Sequence, residues 1–113
     1  RIVRLVSHER PQALVCYDDR TALMLMSALR EHGIRVPDDV AVTGFDDIPF
    51  ARLANPRLTT VAQPIEAMGE RAARMLLEAI RTGHVPDTEV FPVELVIRES
   101  TGTGANAQSD PAA

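Results

Sequence analysis

ALVCYDDRTALMLMSALREHGIRVPDDVAVTGFDD, residues 13–47, decides the fold. Its first segment, Ala13-Leu-Val-Cys-Tyr17, is an unbroken apolar run, the pattern of a short strand covered on both faces in a parallel sheet. A helix follows, with Ala22, Leu23, Leu25, Met26 and Leu29 as its apolar stripe. Asp18 or Asp19 can cap its start, and Gly33 sits where a left-handed C-cap belongs. Val40-Ala-Val-Thr-Gly-Phe45 is the next strand, reached through the Pro37-Asp-Asp turn. Strand, helix and strand of these lengths form a βαβ unit with a right-handed crossover.

Downstream of Asp46-Asp47, a loop or short helical turn through Phe50 to Ala54 leads to Asn55-Pro56, a turn initiator. Leu58-Thr-Thr-Val61 reads as a short strand. A long helix is predicted from about Pro64 to Thr82, because Ile65, Met68, Ala72, Met75, Leu76, Ala79 and Ile80 recur at helical spacing and Gly83 ends the run. Phe91, Val93, Leu95 and Ile97 then alternate with Glu94 and Arg98, as in a half-buried strand. From Thr101 the residues are small and polar, so residues 1–101 are read as domain and 102–113 as a disordered tail. Upstream, Arg1 stands where a methionine would begin a chain, and Arg1-Ile-Val-Arg-Leu-Val-Ser reads as a helix already under way. The chain is therefore read as an α/β fragment, with part of its parallel sheet supplied by residues outside it.

The 113 residues suit one domain, and 45% hydrophobic with 25% charged residues predict a packed core. Net charge is −4, and the twelve basic residues, all arginine, are interspersed with acidic ones. That distribution argues against holding a nucleic-acid backbone through these residues. Cys16 lies in an apolar run and is read as a buried structural thiol. No apolar stretch is long enough to span a bilayer and no signal-peptide pattern is visible, so a cytoplasmic location is expected.

Both central strands end in paired carboxylates, Asp18-Asp19 and Asp46-Asp47. Ligands of open parallel sheets bind beyond the carboxyl ends of the strands, so these four side chains are candidates to line one crevice. Carboxylates accept hydrogen bonds from sugar hydroxyls or the N–H edge of a base. Asp19 and Asp47 are read first as a helix cap and a turn residue, roles that favour aspartate. Clustered carboxylates also suit magnesium in phosphoryl transfer. Against that reading, the chain has no lysine, no Gly-rich phosphate loop and no nucleophile beside a base. His8, His32 and His84 lack ligand spacing and are read as solvated, and Thr59 and Thr60 as strand residues. No catalytic residue, metal ligand or cofactor is assigned.

Several segments together resemble a known family. They are Tyr17-Asp-Asp; the run from Gly33 through Val-Ala-Val-Thr-Gly-Phe-Asp-Asp47; Pro56-Arg-Leu-Thr-Thr-Val-Ala-Gln-Pro64; Gly69 with 72–77; and Pro92-Val-Glu-Leu-Val-Ile-Arg-Glu-Ser-Thr101. In this order and spacing they resemble the C-terminal part of the LacI/GalR family of bacterial transcription regulators, over roughly residues 1–101. The resemblance implies a two-lobed, periplasmic-binding-protein-like sensor, of which this chain holds most of one lobe and one helix of the other. It implies chain crossings near Val61 to Gln63 and near Val90 to Glu94, and an N-terminal helix-turn-helix outside this chain as the DNA-reading part.

By the same resemblance, Asp46 contacts effector, Gln63 faces the ligand from a hinge, and Ile65 lies near the ligand's apolar side. Asp18 stands where many members carry asparagine. An ionised aspartate accepts but does not donate, so a donor on the effector, or a cation, is implied there. Leu23, Met26 and Leu53 fall on a homodimer interface, with core packing an equal reading for Met26. The expected function is sensing of a small polar effector, such as a sugar or nucleobase, whose differential affinity for two lobe arrangements alters operator binding. No enzyme chemistry is required. The alternative is a solute-binding protein of a sugar transporter, which shares the fold, and a metal-dependent enzyme ranks third.

Overall fold

The computed structural model describes residues 2–102. The elements in order are α1 (Ile2–Glu9), β1 (Ala13–Val15), α2 (Asp19–Glu31), β2 (Ala41–Thr43), α3 (Pro49–Leu53), β3 (Thr60–Ala62), α4 (Ile65–Thr82) and β4 (Glu94–Val96), closed by a 3-10 turn at Glu99–Thr101. The chain divides into two compact units: residues up to Ala62 with those from Leu95 onward, and Gln63–Glu94. These divisions fall at the two crossings expected from the sequence.

In the first unit, β1 and β2 run parallel, Ala13 opposite Ala41 and Val15 opposite Thr43. Beyond β2 the backbone continues beside the 59–62 segment in the same sense, with Gly44 N donating to Thr59 O at 3.0 Å and Asp46 N to Val61 O at 2.8 Å. β3 in turn pairs with β4. Past β4, Arg98 meets Thr59 and Ser100 meets Arg57, so that segment runs antiparallel to its neighbour.

Helix α2 forms as its sequence predicts. Asp18 in extended conformation caps it, its carboxylate accepting from Thr21 N at 2.7 Å. At the other end Gly33 takes φ 72°, and Ile34 N and Gly33 N donate to Leu29 O and Arg30 O, the paired bonds of a left-handed C-terminal stop. Ala22, Met26 and Leu29 are buried, with Leu23 and Leu25 packed at the margin. They meet Val40, Val42, Ala51 and Leu58. Each fully buried aliphatic side chain here contributes about 1.5–3 kcal/mol relative to exposure.

Three expectations are corrected. β1 is not covered on both faces: Val15 is 86% exposed and only Leu14 packs against the core. A continuous apolar run records the residue types and not whether a partner layer is present. The alternation before Arg98 runs the other way: Leu95 and Ile97 are 60% and 44% exposed, whereas Arg98 is buried, because its charge has a partner inside. Thr101 belongs to the closing 3-10 turn and bonds to Thr59 Oγ1 at 2.9 Å; the tail expected after it lies, from residue 103, outside the described residues. The stripe of α4 is not buried, since Ile65, Met68, Leu76 and Ile80 are exposed and only Met75 and Ala79 are half-covered.

The second unit is otherwise simple. α4 ends at Gly83 with φ 70°, and Arg71 pairs with Glu89, tying the following segment to the helix.

Candidate functional site

The parallel pairing of β1 and β2 puts both acidic doublets at one edge of the sheet, but the four carboxylates meet different fates. Asp18 caps α2, and its pKa is held below the usual carboxylate value chiefly by the hydrogen bonds from Thr21. Asp19, read from sequence as the cap, is fully buried instead. Its backbone N donates to Phe45 O at 2.9 Å, one Oδ accepts from Ile48 N at 2.9 Å, and the other accepts from the Thr60 hydroxyl. Burial pushes its pKa up, the Thr60 and Ile48 bonds oppose that, and the charges of Asp46 and Asp47 add to it.

Gly44 makes this arrangement possible. A Cβ at Gly44 would lie 2.1 Å from Asp19 Oδ1 and 3.1 Å from Asp19 Cα. The residue is glycine because the backbone passes directly over the carboxylate.

Asp47, read as a turn residue, has φ 51° and carries a charge role besides. Its carboxylate lies 2.8 Å from the Arg98 guanidinium and 3.1 Å from that of Arg52. The Arg98 side chain is only 3% exposed and also donates to Leu58 O at 3.0 Å. A buried ion pair of this kind is costly to break, because either partner alone is an uncompensated charge.

Asp46, three residues beyond β2, is a half-exposed residue. It adopts φ 109°, a conformation that side-chain-bearing residues rarely take, while its N–H is fixed to Val61 O. Strain of this kind persists only where the surroundings over-determine it, and it concentrates at ligand sites. The four carboxylates therefore do not line one crevice. Asp19 faces the core and Asp47 is neutralised, leaving Asp46 and the capping Asp18 in half-buried positions.

Gln63 and Ile65 belong to the second unit. Gln63 is half-buried and its carbonyl accepts from Ile65 N at 2.9 Å, while Ile65, the first residue of α4, is 55% exposed. Of the residues expected at a subunit interface, Met26 lies in the core, Leu23 packs against it, and Leu53 is 78% exposed. Cys16 is buried and unpaired with another cysteine, and burial raises its thiol pKa. Among the described residues no group of three His, Cys, Asp or Glu side chains is arranged to hold a metal ion, and no helix is long and apolar enough to cross a membrane.

Sequence reading missed the roles of Asp19, Arg98 and Gly44. The partners that define them, Thr60, Asp47 and Asp19, are distant along the chain, and no local signal marks them.

Residues 1–101 match the model of the periplasmic binding protein-like domain. The arabinose metabolism transcriptional repressor of Geobacillus stearothermophilus is 41% identical over 95 residues, covering 82% of this chain and 26% of that protein. Among solved structures, a complex of the transcriptional regulator CelR with cellobiose is similar, with 38% identity, TM-score 0.79, and coverage of 87% of this chain and 31% of that one. So is the lac repressor dimer bound to operator and the anti-inducer ONPF, with 31% identity, TM-score 0.77, and coverage of 88% and 31%. The chain thus spans between about a quarter and a third of the length of these proteins.

Proposed function

This chain belongs to the periplasmic binding protein-like domain family in the form carried by LacI/GalR-type regulators, and from that membership we propose that it is the ligand-sensing and subunit-pairing part of a transcription regulator. The observation that carries the proposal is Asp46: a half-buried carboxylate at the carboxyl edge of a parallel sheet, held at φ 109° by its neighbours. A fixed acceptor of this kind suits a ligand hydroxyl, and it discriminates against analogues that lack the donor. The ligand is a sugar or similarly polar small molecule. Asp46, Asp18, Gln63 and Ile65 are the residues proposed to contact it.

The three relatives are regulators by name, which favours this function over that of a transporter's solute-binding protein. The protein works as a cytoplasmic homodimer in which Leu53 and Leu23 contribute to pairing. DNA is read by a part of the protein outside this chain, consistent with the net charge of −4 here. Effector acts by its differential affinity for two conformations, and no covalent step is involved.

Calorimetric titration of the whole regulator with a sugar panel tests the site. Asp46→Asn removes the anionic acceptor, and loss of a charged hydrogen bond is expected to weaken binding by about tenfold or more. Unchanged affinity for the sugar that the wild type binds would refute the assignment.

A further inference from the structure

We propose that Asp19 is a positioning residue of the effector site, whose buried carboxylate holds the loop of residues 45–48 at Ile48 and, through Thr60, beside Asp47, in the form that presents Asp46. The proposal rests on the reading of Asp46 as an effector contact.

Both ends of the strained loop are tied to Asp19. Its N–H bonds Phe45 O, immediately before Asp46, and its Oδ2 accepts from Ile48 N, immediately after Asp47. Its Oδ1 receives the hydroxyl of Thr60, whose Oγ1 also lies 3.4 Å from the N–H of Asp47. Between these ties stand two successive non-glycine residues at positive φ, Asp46 at 109° and Asp47 at 51°. Such a pair does not hold itself, because each relaxes toward ordinary backbone once its surroundings loosen.

Helix formation does not explain Asp19. The cap of α2 is Asp18, so the Asp19 carboxylate is free of that duty. Nor does packing explain it, since a fully buried carboxylate is among the most costly occupants of a core. Burial raises its pKa, which records that cost. What a carboxylate supplies, and an apolar side chain of similar size does not, is two acceptors pointing in different directions. One serves the loop and the other serves β3. Gly44 admits the carboxylate at a distance that any Cβ would close.

The test is amide hydrogen exchange on the whole regulator, comparing wild type with Asp19→Ala, Asp19→Asn and Thr60→Val, alongside calorimetry with cellobiose, ribose and arabinose. In Asp19→Ala the amides of Asp47 and Ile48 are expected to exchange about tenfold faster or more, while those of Leu29 and Val42 keep their wild-type protection. Asp19→Asn, which retains one acceptor, falls between the two. Affinity for the sugar bound by wild type drops by about tenfold with the loop's protection. Exchange at residues 46–48 that stays at wild-type rates, or rises only in step with Leu29 and Val42, overturns the proposal and shows Asp19 to be structural. Should Asp19→Ala fail to fold, Thr60→Val decides by the same criterion at Ile48, whose N–H is held by Asp19 and not by Thr60. If the loop loosens but Asp46→Asn binds sugar as wild type does, the effector reading is overturned and the clamp stands.

Discussion

Replacing Gly44 by alanine sets two opposing effects against each other, and the structure decides which prevails. Gly44 is outside the left-handed range of φ, so alanine is conformationally permitted there. On backbone grounds alone the change restricts the unfolded chain and stabilises by about 0.4–1 kcal/mol. The new Cβ, however, lands 2.1 Å from Asp19 Oδ1, with Leu58 Cδ2 at 3.0 Å and Asp19 Cα at 3.1 Å. The carboxylate cannot retreat without giving up the bonds from Thr60 and Ile48. Hydrogen bonds to a charged group are each worth about 1.5–3 kcal/mol, and the displaced carboxylate stays buried. The net expectation is destabilisation by about 2–5 kcal/mol, well above the ~1 kcal/mol of an average substitution. Urea unfolding of the whole protein at fixed concentration, followed by circular dichroism, measures it as a fall in the midpoint at unchanged slope. A midpoint at or above that of wild type would refute the reasoning, because it would mean that the carboxylate does not occupy the space beneath Gly44.

Arg98→Met is expected to cost about 3 kcal/mol or more by stranding the Asp47 carboxylate, and adding Asp47→Asn should restore part of the loss. Thermal melts that rank the double variant no higher than the single one would contradict a buried pair. The acid response has opposite signs at different carboxyls. Asp18, Asp39 and Glu99 have lowered pKa values, so the stability they add at neutral pH is lost as pH falls through those values. Asp19, whose pKa is raised by burial and by the like charges of Asp46 and Asp47, behaves in reverse, its ionisation costing stability as pH rises through its folded value. The stability difference between wild type and Asp19→Asn should therefore shift in favour of wild type as pH is lowered toward about 4, which urea titrations across pH can read. Leu53→Glu, at an exposed position, should change monomer stability by less than about 0.5 kcal/mol while driving the dimer toward monomer in analytical ultracentrifugation. A stable dimer at micromolar concentration would remove Leu53 from the interface.

Sequence alone determined the parts of this protein that depend on neighbours in the chain. Helix α2 and its Gly33 stop follow from residues within a turn of one another, whereas the choice of Asp18 over Asp19 as the cap did not. The parallel pairing of β1 and β2 follows from the length of the connection between them, and α4 from its 3.6-residue period. The position of Asp46 at a strand end was equally legible, as was the burial of Cys16.

Tertiary structure decided what each charged residue does. Four aspartates of identical chemistry became a cap, a buried clamp, an ion-pair partner and a strained half-exposed acceptor. Asp19 owes its role to Thr60, 41 residues away, and Asp47 owes its role to Arg98. The physical reason is that periodicity and capping act over one helical turn or one strand. The cost of burying a charge is instead set by partners that only the folded chain brings within hydrogen-bonding distance.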